Sequence, residues 1–370
     1  MKIRDLTVHH LRIPLVVPFR TSFGTSHVKE TFVLRLETDD AVGWAECGAE
    51  EDPLYSSEYL EGAEWVLRTQ LVPRLLALGE GLSAGVVRDA LEPVKGHRMA
   101  KHVIETALLD AELRTADMSF GRYLGATKTR VPAGVSVGIF DSIPELLDNV
   151  RTYIDQGYQR IKLKIEPGWD IEPVRVVRET FGDDLLLQVD ANTAYTLRDA
   201  RHLAKLDAFD LLLMEQPLPE DDLLGHAELQ KRISTPVCLD ESIESARDAA
   251  AAIALGACEV INIKPSRVGG YLEARRIHDI AEANGIPVWC GGMLECGLGR
   301  AANVALAALP GFVLPGDTSA SNRYFAEDIT APFVLEDGHL TVPTGPGIGV
   351  DPIPEALAAF TVSTTTIPVS

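Results

Sequence analysis

One pattern limits this chain more than any other. From Val131 onward, short runs rich in β-branched and other apolar residues alternate with amphipathic stretches about 10 to 18 residues long. The runs are VPAGVSVGI (131–139), RIKLKI (160–165), LLLQVDA (185–191) and LLLMEQP (211–217). They continue as PVCLDES (236–242), EVINIKP (259–265), PVWCGG (287–292) and FVLPGD (312–317). Eight runs separated by seven helical segments describe a parallel sheet covered by helices. Eight such units in succession favour a closed (β/α) barrel over a doubly wound open sheet. No Gly-x-Gly-x-x-Gly follows the first run, which also counts against a dinucleotide site.

The first 130 residues read differently. Alternating segments (RDLTVHHLRIPL, TFVLRLET, VGWAECG) precede helical patterns near residues 59–76 and 97–115. Antiparallel strands followed by helices indicate a separate α+β domain over 1–130, beside a barrel over 131–318. After Asp317 the chain offers a hairpin-like FVLEDGHLTVP and a Gly/Pro-rich tail. That segment, 319–370, is too short for another α/β unit and is expected to pack back on the N-terminal domain.

Charge and cysteine content exclude some partners. The 370 residues carry a net charge of −20, which opposes nucleic acid and anionic membranes. An anionic substrate needs local positive charge. Five cysteines (Cys47, Cys238, Cys258, Cys290, Cys296) are scattered through apolar segments, a pattern of buried reduced thiols in a cytoplasmic protein. No uninterrupted apolar run is long enough to span a membrane, and MKIRDLTVHHLRIPL is broken by charge where a signal peptide is apolar.

Chemistry enters with RIKLKIEP. Ile161, Leu163 and Ile165 alternate with Lys162 and Lys164, so the lysines share one strand face. Alone, this reads as a strand with a wet lysine face. Its surroundings argue otherwise. Lys164, Asp190, Glu215, Asp240 and Lys264 are separated by 26, 25, 25 and 24 residues. That interval is one βα unit, so each is expected at the same height, at the C-terminal strand ends where barrels build active sites. Asp190 and Asp240 can also be read as caps of the following helices, and Glu215 as a solvated loop residue. Together, however, three carboxylates on neighbouring strands repel one another unless a cation lies between them. Hard oxygen ligands, few in number, suit Mg²⁺. The lysines flank that arc. Each can act as a base once its pKa falls, and Lys162 beside Lys164, or Arg267 beside Lys264, pushes that way.

In chain order, KLK, VDAN, MEQP, LDES, NIKPSRVGG and GGMLECGLG resemble the enolase superfamily, in its muconate-lactonising subgroup. PFRTSFGTS, PLYSSEY, KGHRMAK, RIKLKIEPGWD and PGDTSAS are more closely similar to the N-acylamino acid racemase / o-succinylbenzoate synthase family. The resemblance covers essentially the whole chain. It implies a modified (β/α)7β TIM-like barrel with an α+β capping domain. It also implies Asp190, Glu215 and Asp240 as ligands of Mg²⁺, replaceable by Mn²⁺ or Co²⁺, and Lys164 and Lys264 as the acid/base pair. Phe19, Phe23 and Tyr55 match the specificity loops of the cap. Lys162, Ser136, Asn192, Gly292, Met293, Leu294 and Asp317 would contact a small carboxylate substrate, with Arg267 and Asn262 in support. A cytoplasmic homo-oligomer of up to eight subunits is also implied. Cys296 departs from the pattern, where a small hydroxylic residue is expected.

The implied reaction is removal of a proton alpha to a carboxylate. It leads to racemisation of an N-acylamino acid, or to dehydration giving o-succinylbenzoate. Mandelate-type racemases carry His where Lys264 stands. Dipeptide epimerases carry a second acid in the last strand motif, and Asp317-Thr318-Ser319 has one. Muconate cycloisomerase shares nearly the whole catalytic set. A catalytically silent barrel would have lost at least one of the five ionisable residues, and none is lost.

Overall fold

The computed structural model describes residues 1–369. Three strands open the chain: β1 (Ile3–Thr21), β2 (Gly24–Thr38) and β3 (Val42–Glu46). β1 and β2 form a long antiparallel hairpin, and Thr21 pairs with Gly24 across the tip. Its register shifts between Pro14 and Phe19, where Pro14 and Pro18 have no amide hydrogen to contribute. Leu6, Val8, Leu11 and Ile13 of β1 are buried with Phe32, Leu34 and Leu36 of β2. The helix Arg98–Thr115 closes on this sheet. It comes so near β3 that a Cβ at Gly43 would lie 2.0 Å from the Ala107 carbonyl oxygen.

The barrel follows. β4 (Arg130–Pro132) leads into β5 (Gly134–Val137), β6 (Arg160–Lys164), β7 (Leu186–Asp190) and β8 (Met214–Glu215). β9 (Val237–Leu239), β10 (Val260–Ile263) and β11 (Val288–Cys290) complete a parallel sheet in which β5 to β11 neighbour one another in chain order. All five residues of β6 are buried, so the lysine face of RIKLK turns into the barrel, away from water. This is the (β/α)7β barrel with its α+β cap.

Two expected strands come out differently. The run 131–139 is broken at Ala133, and only 134–137 joins the barrel. The eighth run, 312–317, makes no continuous ladder. Phe312 bridges Val288 of β11, and Gly316 bridges Ala133 just before β5. Gly134 N–H donates to the Gly316 carbonyl at 2.7 Å, and Asp317 N–H to that of Cys290 at 2.8 Å. Pro315 supplies no donor between them, so the barrel closes through isolated bridges.

The C-terminal segment divides its contacts. β12 (His339–Thr341) pairs antiparallel with β4, so the expected hairpin rests on the barrel. β13 (Thr361–Thr366) adds to the free edge of β1, giving a cap sheet ordered β13-β1-β2-β3.

Cap and barrel share one apolar core, and two cap carboxylates reach barrel helix starts. Glu46 accepts from Cys296 N–H at 3.0 Å and Gly299 N–H at 3.1 Å, where the helix Gly297–Ala307 begins. Glu105 accepts from Leu272 N–H at 3.1 Å, at the start of Tyr271–Ala283. A separate cluster of Leu213, Cys238, Val260 and Trp289 fills the barrel interior. All five cysteines are buried and free. Among the described residues, no helix is long and apolar enough to cross a membrane.

Candidate active site

Backbone register places Lys164 beside Asp190, Asp190 beside Glu215, and Glu215 beside Cys238, which pairs in turn with Val260. Asp240 therefore stands two residues beyond this row, and Lys264 four. The expectation of a single height is corrected to a climbing arc. Barrel closure requires a stagger in hydrogen-bond register, which equal spacing along the chain does not reveal.

None of the three carboxylates serves as a helix cap. After β7 a capping box of Thr196 and Asp199 starts the next helical segment. After β8 Asp222 accepts from Gly225 N–H, and after β9 Ser245 accepts from Asp248 N–H. Asp190, Glu215 and Asp240 are left free for the barrel mouth, where each is almost wholly buried.

The lysines divide these carboxylates. Lys164 Nζ donates to Asp190 Oδ2 and to Asn192 Oδ1, both at 2.6 Å. Across the arc, Lys264 Nζ lies 2.8 Å from Asp240 Oδ2, donates to the Tyr55 hydroxyl at 3.1 Å, and sits 4.4 Å from the centre of that ring. Arg267 ion-pairs with Asp240 and donates to the Asn262 and Ile243 carbonyls at 2.8 and 2.9 Å. Asn262 donates to Glu215 Oε1 at 2.7 Å.

Lys162 has different neighbours. Its Nζ lies 2.5 Å from Asp317 Oδ2, 3.1 Å from Glu215 Oε2 and 3.4 Å from Asp190 Oδ2. Arg160 holds the other Asp317 oxygen at 2.9 Å, and both cations lie over the ring of Trp289. Burial alone would lower the Lys162 pKa, but Asp317, Glu215 and Asp190 outweigh it and hold the pKa above the usual lysine value. Lys162 is a fixed cation.

The carboxylates respond to the same field. Burial would raise Asp190, but Lys164 and Lys162 bring it down to about 2. Glu215 is raised, by burial and then by Asp190. Glu241, beside Asp240, is raised to about 7 by burial and by Asp190. Glu215 Oε2 and Asp240 Oδ2 are buried and receive no aligned hydrogen bond, although ammonium groups lie near both. Orphaned hard acceptors on adjacent strands fit a small divalent cation. Among the described residues no three of the carboxylates are gathered into a finished ligand set; ammonium groups stand between them.

The cap supplies the roof. Phe19, Thr21, Phe23 and Ser26 of the hairpin meet Glu50 and Tyr55 of the next loop over Lys164, Asn192, Lys264, Gly292, Met293 and Leu294. They enclose a cavity with room for about 50 Å³ of solvent. The hairpin tip is held there by Ile139 N–H donating to the Arg20 carbonyl at 3.0 Å. Lys29 donates to the Met293 carbonyl at 2.8 Å. A Cβ on Gly291 would lie 2.3 Å from Asn262 Oδ1 and 2.8 Å from Lys264 Cε, so only glycine leaves those side chains their places. Asn192, Thr193, Gln216 and Leu294 all have positive φ, between 36 and 65°. Such conformations gather at functional sites.

Residues 3–125 match the mandelate racemase / muconate lactonizing enzyme N-terminal domain, and residues 145–356 match the enolase C-terminal domain-like model. The chain belongs to the enolase superfamily. It is 64% identical to an N-succinylamino acid racemase of an Amycolatopsis species over 98% of both chains. It is 44% identical to an o-succinylbenzoate synthase of Geobacillus kaustophilus, covering 95% of this chain and 94% of that one. A solved superfamily member from Listeria innocua superposes over 100% of both chains, with a TM-score of 0.95 at 41% identity.

Within this superfamily fold, Lys162, Ser136 and Asp317 lie outside the cavity wall, Lys162 one layer beneath it. The Ser136 hydroxyl is buried without a partner, and Asp317 is enclosed by Arg160 and Lys162. Sequence reasoning missed Glu241, Gln216, Arg160, Trp289 and Glu50. Glu241 accepts from Asn192 at 2.8 Å, and Gln216 accepts from Asp240 N–H at 2.9 Å; their positions next to Asp240 and Glu215 were the available signal. Arg160 precedes Lys162 and Lys164 on the same strand face, which was a signal; for Trp289 and Glu50 the sequence carries none. A larger cavity of about 560 Å³ lies elsewhere, walled by residues 320–335 with Tyr158 and Ile353. Its Asp328 is occupied by Ser321 and by the Gly297 N–H.

Proposed function

We propose that this enzyme removes the proton alpha to a carboxylate and acts as an N-succinylamino acid racemase. The observation that carries the reading is the placement of Lys164 on β6 and Lys264 after β10, on either side of the carboxylates of β7 to β9. Asp190, Glu215 and Asp240 would hold Mg²⁺, with Mn²⁺ or Co²⁺ as substitutes. Bound there, the ion supplies Lewis-acid stabilisation of the charge that develops on the substrate carboxylate. Lys164, oriented by Asn192, takes the proton from one face of the α-carbon. Lys264, oriented by Tyr55 and Asp240, delivers a proton to the other. Lys162 supplies fixed positive charge beneath the substrate carboxylate. The hairpin tip and Tyr55 keep water from the reacting carbon.

The o-succinylbenzoate synthase relatives favour a second reaction in the same site. Lys164 would take the proton, hydroxide would leave, and Lys264 would act as a cation. A small-molecule substrate, a homo-oligomer and a cytoplasmic location complete the reading; five buried free thiols suit a reducing compartment.

The test is incubation with Mg²⁺ and N-succinyl-L-phenylalanine in D₂O, following optical rotation and α-deuterium, then repetition with the cyclohexadiene precursor of o-succinylbenzoate. Racemisation with deuterium uptake is expected. Chelation by EDTA should abolish it, and Mg²⁺ should restore it. Full activity in metal-stripped protein would remove the metal assignment, and absence of exchange would remove the reaction.

A further inference from the structure

The nitrogen of Lys164 has three positions besides the bond to its own side chain. Asp190 Oδ2 and Asn192 Oδ1 take two of them, both at 2.6 Å. The third is left for the cavity that Lys164 lines. A neutral amine carries two N–H groups and one lone pair. While both neighbours accept, both N–H groups are used and the lone pair faces the cavity. The same position holds the proton that the ammonium form gives back.

A carboxylate such as Asp190 can only accept, but Asn192 could do either. Its amide has an oxygen end and a nitrogen end of nearly the same shape, and a half-turn exchanges them. Turned round, it would present an N–H to the lone pair of Lys164 and occupy the base. The main chain does not prevent this. Asn192 N–H donates to Asp190 Oδ1 at 3.0 Å, with φ at 41°, which fixes the backbone and not the amide. Glu241, 49 residues further along, does prevent it: its Oε1 accepts from Asn192 Nδ2 at 2.8 Å. Glu241 Oε2 is buried without a partner. A proton bound by this carboxyl group therefore resides on Oε2, and Oε1 accepts in either state. Lys264 is held by Tyr55 and Asp240 instead, so the chain of hydrogen bonds from Glu241 through Asn192 ends on one lysine.

We propose that Glu241 is a positioning residue that locks the Asn192 amide with its oxygen toward Lys164, and so keeps the lone pair of Lys164 aimed at the α-proton. This rests on the racemase reading above. The effect is one-sided, confined to the enantiomer from which Lys164 takes the proton.

The experiment follows α-deuterium uptake in D₂O by each enantiomer of N-succinylphenylalanine, in Mg²⁺-loaded protein with one lysine replaced. In Lys264→Arg, Lys164 exchanges one hand; in Lys164→Arg, Lys264 exchanges the other. Into each background go Glu241→Gln, which keeps an acceptor oxygen, and Glu241→Met, which keeps none. On the Lys164 side, Glu241→Met should slow exchange about tenfold to a hundredfold, in kcat and not in KM, with Glu241→Gln within about threefold of its parent. On the Lys264 side the two should act alike, since only the charge of Glu241 reaches that lysine; continued exchange there also shows that the variants are folded. Asn192→Ala, an independent variant, should reproduce the one-sided loss, and adding Glu241→Met to it should cost nothing further. Additive losses, a glutamine as slow as the methionine on the Lys164 side, or equal losses on both faces would overturn the proposal. So would weakened Mg²⁺ binding by Glu241→Met in a metal titration, which would make Glu241 part of the metal site. Exchange without this asymmetry leaves the racemase reading standing, whereas no exchange by the unmodified protein with any N-acylamino acid removes both.

Discussion

Lys162 and Lys164 are two residues apart on one strand face, yet their partners give them different tasks. Lys164 touches Asp190 and the side chain of Asn192 at the cavity wall, while Lys162 lies deeper, between Asp317, Glu215 and Asp190. The two-base mechanism predicts that Lys164→Arg and Lys264→Arg each stop racemisation, because arginine keeps the charge without serving as a base at neutral pH. Each variant should still exchange the α-proton of one enantiomer, and the two should exchange opposite ones. Both exchanging the same enantiomer in D₂O would mean that the lysines share a face. The deeper layer predicts a stability effect. Asp317→Asn removes the charge that Arg160 and Lys162 share, leaving Arg160 a buried cation without a carboxylate partner and Lys162 with Glu215 and Asp190 only. The cost should be about 3–5 kcal/mol by denaturant titration of metal-free protein. A loss below about 1 kcal/mol would show that water reaches them. Lys162 and Asp317 are 155 residues apart in sequence, and only barrel closure brings them together, so their pairing could not be read from spacing.

Elements fix how far sequence reasoning reached. The carboxylate arc was legible because one βα unit has a nearly constant length, and the strands because both their faces are buried. The eighth strand misled because its composition is that of a strand while Pro315 removes a donor that a ladder needs. The first specificity loop proved to be the tip of a strand pair that continues from β1 and β2. The tip, Phe19 to Ser26, is set off from the sheet by the register shift between Pro14 and Phe19. Phe23 and Tyr55, with ring centres 6.3 Å apart, form the contact between the two cap segments over the cavity. Phe23→Ala is expected to change the ratio of kcat/KM between N-acyl substrates severalfold with little effect on metal affinity. An unmoved substrate ranking, with metal titration as the control, would mean that the cap does not read the substrate.

At the scale of the whole molecule, cap and barrel are joined through buried carboxyl groups. Burial raises Glu46 to about 7 and Glu105 to about 8, against an ordinary glutamate value of 4.5. The folded protein therefore binds these protons more tightly than the unfolded chain does. The resulting stabilisation is fully present below pH 4.5 and is lost as pH rises through 7 and 8. Glu105→Gln should flatten the dependence of unfolding free energy on pH between about 5 and 8. An unchanged slope would mean that Glu105 is ionised throughout that range. The glutamine must also fit beneath Gly270, where a Cβ would lie 2.0 Å from Glu105 Oε1.

The pairing of β13 with β1 has a consequence for how the molecule is made. The cap is translated first, but one edge of its sheet is supplied by Thr361–Thr366, which emerge from the ribosome only after the whole barrel. Until then β1 offers unpaired amides and carbonyls to any passing strand. The nascent chain thus has a period of vulnerability as long as the synthesis of the barrel itself, and a chaperone that shields an open strand edge would find its client there.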